Sequence, residues 1–275
     1  MSDPGFPEFN ELTEFRFGRI LYNKNDIYIG KSLELYGEFS YGEAQLFEAI
    51  VKPGMTVVEV GANIGSHTIP LAQWAGPQGR VHAFEPQRIV YQTLCANLAL
   101  NHLTNVIAHY AAAGDKEGEL IVPELEPRAT NNFGGLGLGD FEQGRKVPIL
   151  TVDSLELPAC HFIKADVEGM EELALRGAEE TIRRCRPVLY VENDRKEKAE
   201  DLVRYVHSLG YRMFQHYPPL FYPQNFKGNP ENVFPNIVSK NLLCVHESTP
   251  SNLSGFVEVK VPEEKSDDAA EVGSE

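Results

Sequence analysis

Acidic residues recur in this chain where apolar runs end, and the first of them stands beside two glycines four residues apart. The stretch Val57–Gln73 reads VVEVGANIGSHTIPLAQ: an apolar run holding Glu59, a turn over Gly61-Ala62-Asn63-Ile64-Gly65, then an amphipathic segment. A second apolar run ends on Glu85, a later one on Asp166 and Glu168, and another on Glu192, Asn193 and Asp194. In open parallel sheets, ligands bind beyond the carboxyl ends of the strands, so these residues are candidate ligand contacts. A lone acid there could equally cap a helix. Four successive strand ends exceed what a solvated face supplies by chance.

The residue types narrow the ligand. Gly61 permits a sharp turn and Gly65 a close approach. The helix start near Ser66 and His67 offers free N–H groups to an anion. A carboxylate such as Glu85 can accept both hydroxyls of a ribose. A dinucleotide or S-adenosylmethionine would suit this scheme. The dinucleotide fingerprint needs G-x-G-x-x-G, but Asn63 and Ser66 stand where its second and third glycines belong. Glu59 would repel a pyrophosphate and attract the ammonium of a methionine moiety. Both features favour S-adenosylmethionine.

The elements that must position these residues follow from periodicity. TVVEV, RVHAFEP and NVIAHYAAAG read as strands alternating with helical segments, and CHFIKADVEG, PVLYVEND, RMFQHY and NLLCVHE as later strands. Such alternation predicts an α/β fold, three layers with a doubly wound, mostly parallel sheet. The chain is expected to divide into a lead-in and hairpin over 1–40, a main domain over 41–247 and an acidic tail over 248–275, disordered apart from a short strand at GFVEVKV. The hairpin is placed in RILYNKNDIYIGKSLELYG, Arg19–Gly37. Residues 123–145, rich in glycine and asparagine, interrupt the rhythm as an inserted substrate loop.

Composition excludes several classes. The 275 residues are 42% hydrophobic and 24% charged, as in a globular protein. A formal net charge of −15 speaks against nucleic acid as a partner. Basic clusters at Arg183–Arg186 and Arg195–Lys198 read as solvated helix ends. No apolar run reaches membrane-spanning length, and the acidic, proline-interrupted start is no signal peptide. Four cysteines without a C-x-x-C pair suggest neither zinc nor redox chemistry. Cys95, Cys160 and Cys244 read as core thiols, consistent with a cytoplasmic protein. A homo-oligomer is compatible with all of this.

The segments KPGMTVVEVGANIGSHT, GRVHAFEP, CANLALN, IKADVEGMEELALRGAEETI and PVLYVEN, in that order and spacing, resemble the FkbM-type methyltransferases over Tyr41–Glu192. The resemblance implies the Rossmann-like class I methyltransferase fold, a seven-stranded sheet with its last strand antiparallel. It implies S-adenosylmethionine as methyl donor and a hydroxyl acceptor on a sugar, polyketide or other small metabolite. Carried over, Glu59, Gly61, Asn63 and Gly65 would floor the methionine moiety, with His67 near its carboxylate. Glu85 would hold the ribose, Ala112 and Ala113 would lie by the adenine, and Asp166 would face the reaction centre.

A hydroxyl acceptor needs a base, or a metal that lowers its pKa. Asp166, Glu192 and Asn193 could supply three oxygens to Mg²⁺ or another divalent cation, an arrangement similar to the catechol O-methyltransferase family. The lysine base of that family would fall near Gly169, where none stands; Lys164, two residues before Asp166, is the substitute. Without a metal, His216 is the candidate base, ahead of His109, His161 and His82. Against the metal, Asp166 and Glu168 could simply bind loop amides. Tyr217, Phe221, Tyr222 and Phe226 could line an acceptor pocket or fasten their loop to the sheet. Two other readings stay open: methylation of a protein side chain or other macromolecule, and a non-catalytic nucleotide-binding domain.

Overall fold

In the strand Thr56–Val60, successive side chains point to opposite faces, and both faces are covered. Val57 packs with Phe47, Leu71 and Ala75, whereas Val58 and Val60 pack with Ala174, Ile182, Leu202 and Val206. A strand apolar on both sides has to lie inside a three-layer structure.

The computed structural model describes residues 8–137, 141–251 and 253–262. A hairpin, β1 (Asn10–Phe15) and β2 (Gly18–Asn23), leads into α1 (Ile29–Tyr36) and α2 (Tyr41–Ile50). Then come β3 (Thr56–Val60), α3 (Thr68–Ala75), β4 (Arg80–Phe84), α4 (Arg88–Leu100) and β5 (Val106–His109). β6 (Ala112–Ala113), β7 (Gly118–Val122) and β8 (Arg145–Leu150) form a small separate sheet in the order β6-β8-β7. The alternation resumes with β9 (Phe162–Ala165), α5 (Glu171–Arg176), α6 (Glu179–Cys185), β10 (Val188–Glu192) and α7 (Lys196–Ser208). It ends with β11 (Tyr211–His216), β12 (Asn241–His246) and β13 (Val257–Glu258).

The main sheet runs β5-β4-β3-β9-β10-β12-β11-β13. β3, β4, β5, β9 and β10 are parallel, and β12 is antiparallel to both its neighbours. The expected seven-stranded sheet with its last long strand antiparallel is present, and β13 adds an eighth strand at the edge. The strand order reverses between β3 and β9, which opens a cleft above their carboxyl ends.

Four expectations change. The hairpin lies at Asn10–Asn23, earlier than Arg19–Gly37, and its register pairs Asn10 with Asn23. Buried Asn97 on α4 fixes it, accepting from Leu21 N at 2.6 Å and donating to Leu21 O at 2.9 Å. The segment assigned to the second hairpin strand is helix α1, begun where Asp26 Oδ1 accepts from Tyr28 N and Ile29 N. The third run splits between two sheets at β5 and β6. Cys95 is half-buried, while Cys160 and Cys244 are in the core. Of the tail, residues 263–275 lie outside the described residues, and 257–258 form β13. Among the described residues, no helix is long and apolar enough to cross a membrane.

Gly61 stands where β3 turns toward the cleft, at φ +84°, and a Cβ there would lie 1.9 Å from the Asp166 carbonyl oxygen. Gly61→Ala is expected to cost at least ~2 kcal/mol of stability through strain and this backbone clash. Chemical denaturation checks it; a midpoint equal to the parent's would contradict the close approach.

Candidate functional site

A cavity of about 280 Å³ lies above the carboxyl ends of β3, β4, β9 and β10. Its floor is the Gly61–Asn63 turn with Glu59, Glu85, Lys164 and Asp166. Its roof comes from three separate places: Tyr28, Ile29 and Phe39; Asn132 and Gly134–Leu136 of the inserted loop; and Leu220 with Ile237–Ser239. The roof is tied together by backbone bonds, Ile27 N to Asn131 O and Asn131 N to Asn25 O, and by Gln87 Nε2 donating to Phe133 O at 2.7 Å.

The turn is braced by Glu85. Its Oε2 accepts from Asn63 N at 3.0 Å and its Oε1 from Gln87 N at 2.7 Å. Each oxygen keeps a lone pair for a further donor. Asn63 occupies the left-handed region at φ +49°, which asparagine tolerates, so no glycine is needed there. Gly65, also left-handed, is not part of the cavity wall; a Cβ would press on Leu94 of α4 at 2.9 Å. It sets the packing of the turn on that helix.

Beneath the turn lies a buried ionic group. Glu59 and Lys164 are register partners on β3 and β9, and they face the α2 and α3 side. Glu59, 1% exposed, accepts from Thr68 Oγ1 at 2.6 Å. Burial pushes its carboxyl up to about 7, against the pull of Lys164. Glu43 of α2 is held by Ser40 Oγ at 2.9 Å and Asn241 Nδ2 at 3.2 Å. Lys164 Nζ pairs with Asp166 Oδ2 at 2.9 Å. Burial opposes the ammonium, but Asp166, Glu59 and Glu43 together hold it well above the usual lysine range. Lys164 is thus a fixed cation, not the free amine a base would require. Burial also acts on the Asp166 carboxyl, and the Lys164 ammonium overrides it, holding Asp166 below the usual range. His67, wedged against Phe39 and Phe47, is driven down to about 3 by burial and offers a neutral ring to the cavity.

A second acidic group closes the far end. Glu168, Glu192 and Asp194 bring carboxyl oxygens within 4.8 Å of one another. Glu168 pairs with Arg195, and Lys198 Nζ donates to Gly169 O at 2.7 Å. The Arg195–Lys198 cluster stands at the start of α7 with residues 196–198 exposed, as a solvated helix end, while Arg195 itself turns to Glu168. Burial first, then Asp166, Glu168 and Asp194, raises Glu192 to about 11. The loop amides are bound by neither Asp166 nor Glu168: Glu171 Oε1 accepts from Val167 N at 3.0 Å and Gly169 N at 2.9 Å.

The expected set Asp166, Glu192 and Asn193 does not fit a divalent cation. Lys164 already occupies an Asp166 oxygen, Asn193 is not among the cavity walls, and its backbone N–H bonds Lys240 O. His216 lies outside the cavity too, bonded through Nδ1 to Tyr190 Oη at 2.8 Å. His161 accepts from Thr56 N, and His82 and His109 contact each other at 3.3 Å. Ala112 and Ala113 wall a neighbouring recess of about 10 Å³ with Gly61, Pro86, Val167 and Met170. Tyr217 and Phe226 are exposed, while Phe221 and Tyr222 pack on Tyr36 and Tyr41. The apolar residues of that loop that reach the cavity are Leu220, Ile237 and Val238. Glu43 and the roof residues carry no local signal of their role, since they meet the site only through folding.

The sheet order and the cleft define a class I methyltransferase fold. The family model "Methyltransferase FkbM domain" matches residues 59–213, more than half of the chain. The chain belongs to the FkbM methyltransferase family. Methyltransferase sdnD of Sordaria araneosa is 29% identical over 157 residues, covering 45% of this chain and 60% of that protein. A tRNA(Phe) (4-demethylwyosine(37)-C(7)) aminocarboxypropyltransferase of Methanocaldococcus jannaschii is 44% identical over 61 residues, 22% of this chain and 24% of its own length. The chain thus spans less than two thirds of either relative. Among solved structures, a methyltransferase FkbM from Methylobacillus flagellatus is similar at 21% identity and a TM-score of 0.49, over 73% of this chain and 50% of that one. M. jannaschii TYW2 in complex with AdoMet is similar at 17% identity and a TM-score of 0.46, over 87% and 86%.

Glu59 and Glu85 both rise to about 7 from 4.5, chiefly through burial. Their neutral forms favour the fold, so this stability is fully present below pH 4.5 and is lost as pH rises through about 7. Glu85→Gln, which cannot ionise, is expected to lose less melting temperature than the parent across that window. Parallel curves for the two proteins would contradict the burial of Glu85.

Proposed function

We propose that this chain is an S-adenosylmethionine-dependent methyltransferase acting on a hydroxyl of a small molecule. The observation that carries the reading is Glu85, fixed by two backbone amides beside the Gly61–Asn63 turn with lone pairs left for ribose hydroxyls. Charge supports it. The ionised Asp166 and the carboxyl oxygens of Glu43, Glu59, Glu85, Glu168, Glu192 and Asp194 line the cavity, acceptors for an ammonium and poor company for a pyrophosphate. In this reading Gly61 and Asn63 seat the methionine part above Glu59, with His67 alongside. Pro86, Ala112 and Ala113 flank the adenine.

The cofactor supplies an electrophilic methyl: the acceptor oxygen attacks its carbon, the C–S bond breaks with its electron pair going to sulfur, and the acceptor proton passes to a base. We assign that base to Asp166, which lines the cavity as an ionised carboxylate. Lys164 keeps it ionised and oriented. The roof closes the cavity around a small acceptor, and Asn132 with Gly134–Leu136 of the inserted loop shapes it. The net charge of −15 argues against nucleic acid. Four free cysteines fit a reducing compartment, and we place the protein in the cytoplasm.

Calorimetric titration with S-adenosylmethionine and S-adenosylhomocysteine tests this directly. Micromolar binding of either is expected, and Glu85→Ala is expected to abolish it; no heat with either ligand would rule the reading out. Asp166→Asn is expected to slow transfer of labelled methyl groups to metabolite extract by roughly a hundredfold or more, with product affinity nearly unchanged. Full transfer by that variant would remove Asp166 as the base.

A further inference from the structure

The cavity keeps buried polar atoms that the protein itself does not satisfy. One guanidinium serves the three carboxyls at the ends of β9 and β10: Arg195 pairs with Glu168 and lies 3.4 Å from an Asp194 oxygen. Glu192 Oε2 is shut off from solvent and meets no donor. His67, 4% exposed, also lines the cavity and has a buried Nε2 with no hydrogen-bond partner. Its Nδ1 is the nitrogen directed to Glu43, at 3.9 Å. Buried polar atoms left unmet in this way are costly unless a ligand partners them.

The remaining wall is apolar: Leu136, Leu220, Ile237 and Val238. Among the described residues lining the cavity, Lys164 is the one lysine or arginine, and its ammonium is bound to Asp166. Resting on the methyltransferase reading, we infer that the acceptor is a hydroxylated molecule with an ammonium group on a hydrocarbon body. The ammonium meets Glu192 and Asp194, and the body lies against Leu220, Ile237 and Val238. An acceptor bearing phosphate, sulfate or carboxylate would face these carboxyls with no free cation, and like charges so juxtaposed reject a partner. A neutral polyol would supply hydrogen bonds but, bringing no charge, would leave Glu192 protonated among its neighbouring acids. A divalent cation would meet the same oxygens, so it has to be tested beside the amine.

Three probes share one ring and one phenol and differ only in end group: tyramine, tyrosol and para-hydroxyphenylacetate. Each is titrated calorimetrically into the full chain saturated with S-adenosylhomocysteine. Tyramine is expected to bind tightest, by roughly tenfold or more over tyrosol, the value of one charge-assisted hydrogen bond, and the anion weakest. In Glu192→Gln, shown to be folded by its melting curve, tyramine is expected to fall to the level of tyrosol. Equal affinities, preference for the anion, or binding of none of the three would overturn the inference. So would a tyramine preference that survives in both Glu192→Gln and Asp194→Asn. Magnesium chloride titrated alone is expected to give no saturable heat; saturable binding lost in Glu192→Gln would assign the acids to a metal instead. Failure of S-adenosylhomocysteine to bind sinks the methyltransferase reading itself. Normal binding of it with a flat probe series sinks the acceptor assignment alone.

Discussion

One buried ammonium holds the centre of the site together. Lys164 stands in the middle of the sheet, in register with Glu59 on β3 and Tyr190 on β10, with Glu43 of α2 approaching the same face. Three carboxyls in a low-dielectric interior would repel one another and shed their charge. A cation among them lets Asp166 remain ionised and ties two strands and a helix to one point. Removing it would leave acids with nothing to answer them, the costly way to break a buried ion pair. The acid inside an otherwise apolar strand, Glu59, is intelligible only with this lysine across from it.

Above that group, backbone geometry does the positioning. Gly61 brings β3 against the end of β9 so closely that only hydrogen fits. Asn63 takes the left-handed conformation and hands its amide to Glu85, which links the first turn to the end of β4. Asn97 donates to Ile64 O at 2.8 Å while pairing with the hairpin strand β2, so the turn is braced from behind. The cofactor end of the cavity is thus built from hydrogen bonds between strand ends, with little dependence on long side chains.

The acceptor end is built differently. Its walls come from the two ends of α1 (Tyr28, Ile29, Phe39), from Asn132 and Gly134–Leu136, and from Leu220 with Ile237–Ser239, places far apart in the chain. Asn23 and Asn25 both donate to Pro127 O, so the segment before α1 is tied to the start of the inserted loop. Segments of this kind vary readily without disturbing the sheet that supports them. One FkbM domain can therefore keep its donor site while its acceptor site changes.

Much of the fold was legible in the sequence because it is local. Strand–helix alternation, the Gly61–Gly65 spacing and the acid after the second strand are properties of short segments, and each stands where periodicity placed it. The hairpin was misplaced because Asn10–Phe15 is mostly exposed and alternates weakly, and its pairing depends on Asn97, seventy-odd positions away. The sequence determined by itself where the Gly61–Gly65 turn and Glu85 sit, since a turn and a strand end are specified by neighbours. Only the tertiary structure decided that Lys164 is a cation, that Arg195 pairs with Glu168, that His216 stands outside the cavity and that Glu43 lies beneath the turn. Charge state and partnership depend on burial and on distances between residues remote in the chain, and no local pattern encodes either.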